Sequence, residues 1–230
     1  MGPSLADPKG RVAVTLDARN PQNVSSEVLA SRSLVPARQL TVPPAAYREY
    51  SNAQKRLARR DVAGAVAHLE RAVKIAPQFS PAWNQLGTIA YQSRDFPRAE
   101  KHFREALEQD PEAFEPLVNL GGALLTLGKL DEALKFNLYA VLRRPKDALA
   151  NSQLGMNYFA LGDLDRGLKY LTNAKGIDPS HFSHPQLTLA EIHLRRNERQ
   201  AAAAELEDFL KRHPDSPEAA RIRSVMTRLR

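Results

Sequence analysis

His181 and His184 stand three residues apart, and His193 follows nine residues later. Two imidazoles one helical turn apart can hold a zinc ion if a third ligand and an ordered outer shell exist. Here the pair spans the turn just before Pro185, so surface imidazoles are the simpler reading. His68, His102 and His213 have no obvious sequence partners. Asp163 and Asp165 could do acid–base work as a pair, but carboxylates at a helix start also complement its dipole. Gly121-Gly122 sits inside a helical stretch, not between a strand and a helix. The chain has no phosphate-cradling loop, no dinucleotide fingerprint and no nucleophile elbow. Without cysteine it has no disulfide, thiolate ligand or thiol nucleophile. No catalytic, cofactor-binding or metal-ligating set is predicted, and the chain reads as a non-enzyme.

The net charge is +7, and 43% of residues are hydrophobic against 26% charged. That balance belongs to folded soluble chains, not disordered ones. The basic surplus is spread out. Its densest clusters are Lys55-Arg56 with Arg59-Arg60, Arg143-Arg144 with Lys146, and Arg195-Arg196 with Arg199. Solvated helix faces explain them more simply than a nucleic-acid patch, because aromatics are not interleaved with them and no recognition motif appears. No apolar run approaches a membrane span. The first residues lack the apolar core of a signal peptide, which leaves the compartment undetermined and an exported location open if this is part of a longer protein.

The elements that carry these residues repeat. Pro77, Pro111, Pro145 and Pro179 stand 34 residues apart, and Pro214 follows after 35. Between them the apolar period is helical. One small-residue slot holds Ala53, Gly87, Gly121, Gly155 and Ala190. A second holds Ala65, Ala99, Ala133, Gly167 and Ala202. A third holds Ala72, Ala106, Ala140 and Ala174, then the bulkier Phe209. Each helix pair leaves one apolar seam open, and only a neighbouring pair can cover it. Residues 1–45 differ: they hold six of the sixteen prolines, and Val12, Val14 and Leu16 alternate with polar or small neighbours as in a short strand. At the other end, Ser216 before Pro217 reads as a helix N-cap. Ile222, Val225, Met226 and Leu229 form the inward stripe of a terminal helix.

Trp83, Leu86, Gly87, Ala99, Phe103 and Pro111 resemble the tetratricopeptide repeat, whose pattern is W-x2-L-G-x2-Y, then A-x3-F, then P. Ala90 departs from the tyrosine slot, and Tyr91 follows it. Leu154-Gly155, Tyr158 and Gly162 carry the likeness in a later copy. The tryptophan slot holds Glu49 in the first copy, Leu117 in the third and Gln186 in the fifth. The resemblance implies an all-α, right-handed α-solenoid of five helix-turn-helix units, near 46–79, 80–113, 114–147, 148–182 and 183–216. A capping helix at 217–230 closes it, and a non-helical arm at 1–45 precedes it. The extra residue before Leu189, in the HFSHP turn, predicts a local shift of the fifth pair. The arm weakly resembles the tail of the β-sandwich that precedes such repeats in some bacterial proteins.

A repeat of this type implies a protein-interaction scaffold that takes a polypeptide in the concave groove lined by its first helices. Those helices offer Tyr47, Tyr50, Gln54 and Leu57 in unit one, and Asn84, Thr88, Tyr91 and Gln92 in unit two. Unit three offers Val118, Asn119, Gly122 and Leu125; unit four Ser152, Gln153, Met156 and Phe159; and unit five Leu187, Glu191 and Leu194. Leu57, Tyr91, Leu125, Phe159 and Leu194 form one column, and the alternative reading of its members is packing between neighbouring pairs. An apolar ladder flanked by amides suits an extended peptide or a short amphipathic helix. The family subclass that clamps C-terminal carboxylates places lysine and arginine in the groove; here only Asn119 fits, so this chain is not expected to be such a clamp. The alternative is a self-associating module whose arm packs in a groove or pairs with another copy.

Overall fold

The computed structural model describes residues 42–229. The strand expected at Val12–Leu16, and the arm with it, lies outside the described residues. Among the described residues there are eleven α-helices and no strand. They run α1 Pro44–Ala58, α2 Val62–Ile75, α3 Ser80–Gln92, α4 Phe96–Gln109, α5 Phe114–Thr126, α6 Leu130–Arg143, α7 Ala148–Ala160, α8 Leu164–Ile177, α9 Pro185–Arg195, α10 Arg199–Arg212 and α11 Ala219–Leu229. Consecutive helices pack on each other, and odd-numbered helices also touch the next odd-numbered one from α3 to α9. The result is an all-α solenoid of five stacked pairs closed by α11. None of these helices is long and apolar enough to cross a membrane.

Local signals start and stop the helices. Asp61, Asp95 and Asp163 cap α2, α4 and α8, each accepting from the backbone N–H three residues on, which satisfies an otherwise orphan donor. Asp147 does the same for α7. Lys129 heads α6 without a side-chain cap. Its ammonium instead reaches the buried Glu100 at 2.7 Å, and Arg104 bridges Glu100 to Glu132. Burial pushes the Glu100 carboxyl up, but Lys129 and Arg104 outweigh it and hold it below its usual range. Inside each pair the turn passes through the left-handed region at Arg60, Arg94, Gly128, Gly162 and Asn197.

The small-residue slots are where the helices meet. Ala53, Ala65, Ala72, Ala99, Ala106, Ala133, Ala140 and Ala174 are fully buried. A Cβ at Gly87 would stand 2.5 Å from the Phe103 ring, and one at Gly155 2.9 Å from the Leu171 backbone nitrogen. Glycine thus allows an approach no other residue permits. Trp83 is stacked on His102 with centroids 5.7 Å apart.

Two differences from the periodic reading appear near the C-terminus. The linkers 76–79, 110–113 and 144–147 are short, whereas residues 178–184 make a double turn and α9 begins late. His184 takes φ +48° just before α9. The extra residue is absorbed by lengthening the linker and trimming the helix. The terminal helix starts at Ala219, not Pro217, because Ser216 bonds Glu218 inside a preceding turn. Ile222 and Met226 pack with Leu206 and Phe209, and Ala219 is buried, while Val225, expected inward, is 37% exposed. The apolar stripe follows i, i+3, i+7, and Val225 lies on its outer edge.

Candidate functional site

A cavity of about 780 Å³ opens on the face carried by the odd-numbered helices. Its wall comes from α3 (Thr88, Tyr91, Gln92), α5 (Asn119, Gly122, Leu125, Thr126), α7 (Leu149, Gln153, Met156, Phe159) and α9 (Thr188). Phe103 of α4 and Phe182 with Ser183 of the long linker complete it. The floor is shaped by the same spacing that shapes the core. Tyr91, Leu125 and Phe159 recur at one helical position, 34 residues apart. Leu125 and Phe159 also pack against buried core residues below, so they serve both the fold and the surface.

Hydrogen bonds tie the walls together. Asn119 Nδ2 donates to Asn84 Oδ1 at 3.0 Å, linking α5 to α3. The Tyr91 hydroxyl and Thr126 Oγ1 share a bond of 3.1 Å between the same helices. Thr88 and Thr126 return their hydroxyls to carbonyls one turn back, at Asn84 and Gly122. Gln153 rests over Gly122, where a Cβ would stand 2.6 Å from its Nε2. Gln153 Oε1 is buried and has no hydrogen-bond partner. No described lining residue carries a charge. The Arg195 guanidinium lies 4.3 Å over the Phe159 ring and pairs with Glu191.

The cavity thus gathers Thr88, Tyr91, Gln92, Asn119, Leu125, Gln153, Met156 and Phe159. Other groove candidates lie elsewhere. Tyr47 and Tyr50 pack edge-on to Phe79 in the first pair, and Gln54 is exposed on α1. Val118 is 3% exposed among Phe114, Leu117 and Ala150, and Ser152 is fully buried, so neither presents a side chain to the groove. Leu187 packs toward Ala190 and Leu206, and Glu191 is engaged by Arg195. Asn84 contributes through Asn119. Thr126, Leu149, Phe182, Ser183 and Thr188 were not anticipated. Thr188 was within reach, since it continues the Asn119–Gln153 position after the 35-residue step.

His181, His184 and His193 do not form a ligand set. His181 bonds Ser183, His184 stacks edge-on to Phe209 and His213, and His193 pairs with Glu198. Asp163 is a helix cap held by Arg166, and Asp165 is bonded to Arg196. Among the described residues, no three His, Cys, Asp or Glu side chains group as metal ligands.

Known proteins place this architecture. Two family models, each for the tetratricopeptide repeat, match residues 84–148 and 158–226. The human Cell division cycle protein 16 homolog is 29% identical over 116 residues, 46% of this chain and 19% of that protein. The chain therefore spans about a fifth of that relative. Among solved structures, PilW, a type IV pilus biogenesis factor, superposes with a TM-score of 0.72 at 19% identity, over 81% of this chain and 86% of that one. MamA from Desulfovibrio magneticus RS-1 gives 0.67 at 21%, over 77% and 99%. YrrB, described as a tetratricopeptide-repeat protein with an unusual peptide-binding site, gives 0.63 at 21%, over 78% and 92%. At these identities the likeness is one of fold. Matched repeat models on a stack of helix pairs make this chain a member of the tetratricopeptide-repeat family.

Proposed function

We propose that the chain is a protein-interaction scaffold that holds a polypeptide segment in the groove lined by α3, α5, α7 and α9, without catalysis of its own. Repeat scaffolds of this family generally mediate protein–protein interaction. The observation that carries the reading for this chain is the groove itself: about 780 Å³, lined by apolar side chains with amides and hydroxyls among them. Such a surface offers side-chain pockets together with fixed hydrogen-bonding groups, which is what peptide recognition needs. Its walls are already cross-linked by Asn84–Asn119 and Tyr91–Thr126, so little ordering entropy is lost on binding.

The test is selection of random peptides on the full chain, followed by mapping of the bound face by amide hydrogen exchange. Protection on α3, α5 and α7, lost in Tyr91→Ala/Phe159→Ala, supports the reading. Selected peptides that protect other helices, and bind the double variant equally well, refute it.

A further inference from the structure

The groove's lining specifies its ligand more closely, an inference that rests on the reading above. The first observation is electrostatic. One residue in four of this chain is charged, yet no described lining residue is. A carboxylate or ammonium drawn into the groove would lose hydration and meet no charged lining residue, and the guanidinium over Phe159 is already paired with Glu191.

The second observation is Gln153. It is 8% exposed, lines the cavity, and leaves Oε1 without a donor. The amide lies over Gly122, which brings no side chain of its own, and a turn about χ3 would present that acceptor to a bound molecule. A helical ligand keeps its N–H groups for itself beyond its first turn. An extended ligand offers free N–H groups along its length.

The third observation is Phe182. It is 70% exposed on the lengthened linker, yet it lines the same cavity. A phenyl ring held in water beside Met156 and Phe159 is a surface that gains by being covered.

We propose that the groove takes an extended, uncharged peptide segment, with an aromatic or aliphatic side chain against Phe182 and Phe159 and a backbone N–H donating to Gln153. The same features disfavour acidic or basic segments and preformed helices.

The probes are acetylated, amidated nonapeptides with randomised central positions, in three libraries: uncharged residues only, one central glutamate, or one central lysine. Each is selected on the full chain, and the best binders are titrated by fluorescence anisotropy. The uncharged binder is expected to lose about tenfold in affinity on gaining a central charge, on N-methylation of one central amide, and against Gln153→Met. Gln153→Met keeps the length of the side chain and removes the acceptor, so its folding stability, read from a urea melt, should stay level or rise. Phe182→Ala, on an exposed linker, should weaken binding by a similar factor without altering the melt. Equal affinity for charged binders, indifference to both N-methylation and Gln153→Met, or tighter binding of a helix-stapled version each overturns the inference. Binders that ignore Phe182→Ala and Tyr91→Ala/Phe159→Ala together, or no binder from any library, overturn the groove reading itself.

Discussion

The Trp83 indole donates to the Pro77 carbonyl at 2.8 Å, across the linker that joins the first helix pair to the second. The same bond is rebuilt from other side chains further along. Asn151 donates to the Pro145 carbonyl at 2.9 Å and Gln186 to the Pro179 carbonyl at 2.6 Å. The slot tolerates tryptophan, asparagine or glutamine because what it needs there is a donor reaching back to the linker. Leu117 cannot supply one, and Glu49 instead accepts from His68 and Arg71. Trp83→Phe keeps most of the stacking surface and removes the donor. It should cost about 1 kcal/mol, read as a lower urea midpoint. Trp83→Ala also removes the ring and should cost about 3 kcal/mol.

A second pairing predicts non-additivity. Asn137 occupies the position that Phe103 and Leu171 fill in neighbouring pairs, and it is fully buried. Its Nδ2 donates to the equally buried Asn157 Oδ1 at 3.1 Å, while its own Oδ1 has no partner. Asn137→Leu alone strands the Asn157 oxygen and should lower stability by about 1–3 kcal/mol. Adding Asn157→Ala, which copies Ala123 one unit earlier, should recover much of that loss. Denaturant titration of both single variants and the double variant reads the coupling.

The turns make a third prediction. Arg60 and Arg94 take φ +59° and +62° where Gly128 and Gly162 serve in later pairs. Left-handed backbone costs a residue that carries a Cβ about 1 kcal/mol relative to glycine. Arg94→Gly should therefore raise the melting temperature by a few degrees, and Gly162→Ala should lower it. No change in either would mean that the turns are not under strain.

Acid should loosen the C-terminal end. Burial pushes the His184 imidazole below its ordinary value, His213 and His181 add to this, and Glu218 opposes it. Arg212 and Asp215 line the same recess. The unfolded chain therefore binds the proton more readily, and the stability this group contributes is complete above the ordinary value of 6.5 and lost as pH falls through the depressed folded value. His102, half-buried against Trp83, is pushed the same way, chiefly by loss of hydration. The urea midpoint should be lower near pH 5.5 than near pH 7.5. His184→Asn should flatten that slope, and an unchanged slope would contradict the assignment.

Much of this was legible in the sequence because the repeat fixes two helices per 34 residues and small residues mark where they touch. What periodicity alone could not separate was the groove face from the seam between pairs. The two lie about one residue, some 100° of helix rotation, apart. Asn84, Val118, Ser152 and Leu187 share one helical position that turns toward the seam in the middle pairs, whereas Asn119, Gln153 and Thr188 share the next, which faces the cavity. The first of these positions mixes apolar and polar residues while the second is polar throughout, a difference that a search for apolar periodicity does not weigh. Phe182 was illegible for another reason: it lies on a turn outside the period, where no face is defined. Val225 lies at the outer edge of the stripe that buries Ala219, Ile222 and Met226 and is 37% exposed, a rotation of the last helix that its apolar spacing alone left open.

The central claim is that the uncharged groove floor is the binding surface. The measurement that tests it most directly is the affinity of one selected uncharged nonapeptide for the full chain and for Gln153→Met, Phe182→Ala and Tyr91→Ala/Phe159→Ala, with each variant's urea midpoint alongside. We predict a loss of about tenfold or more for every variant, with folding intact in the first two. Undiminished affinity across all three would contradict the account.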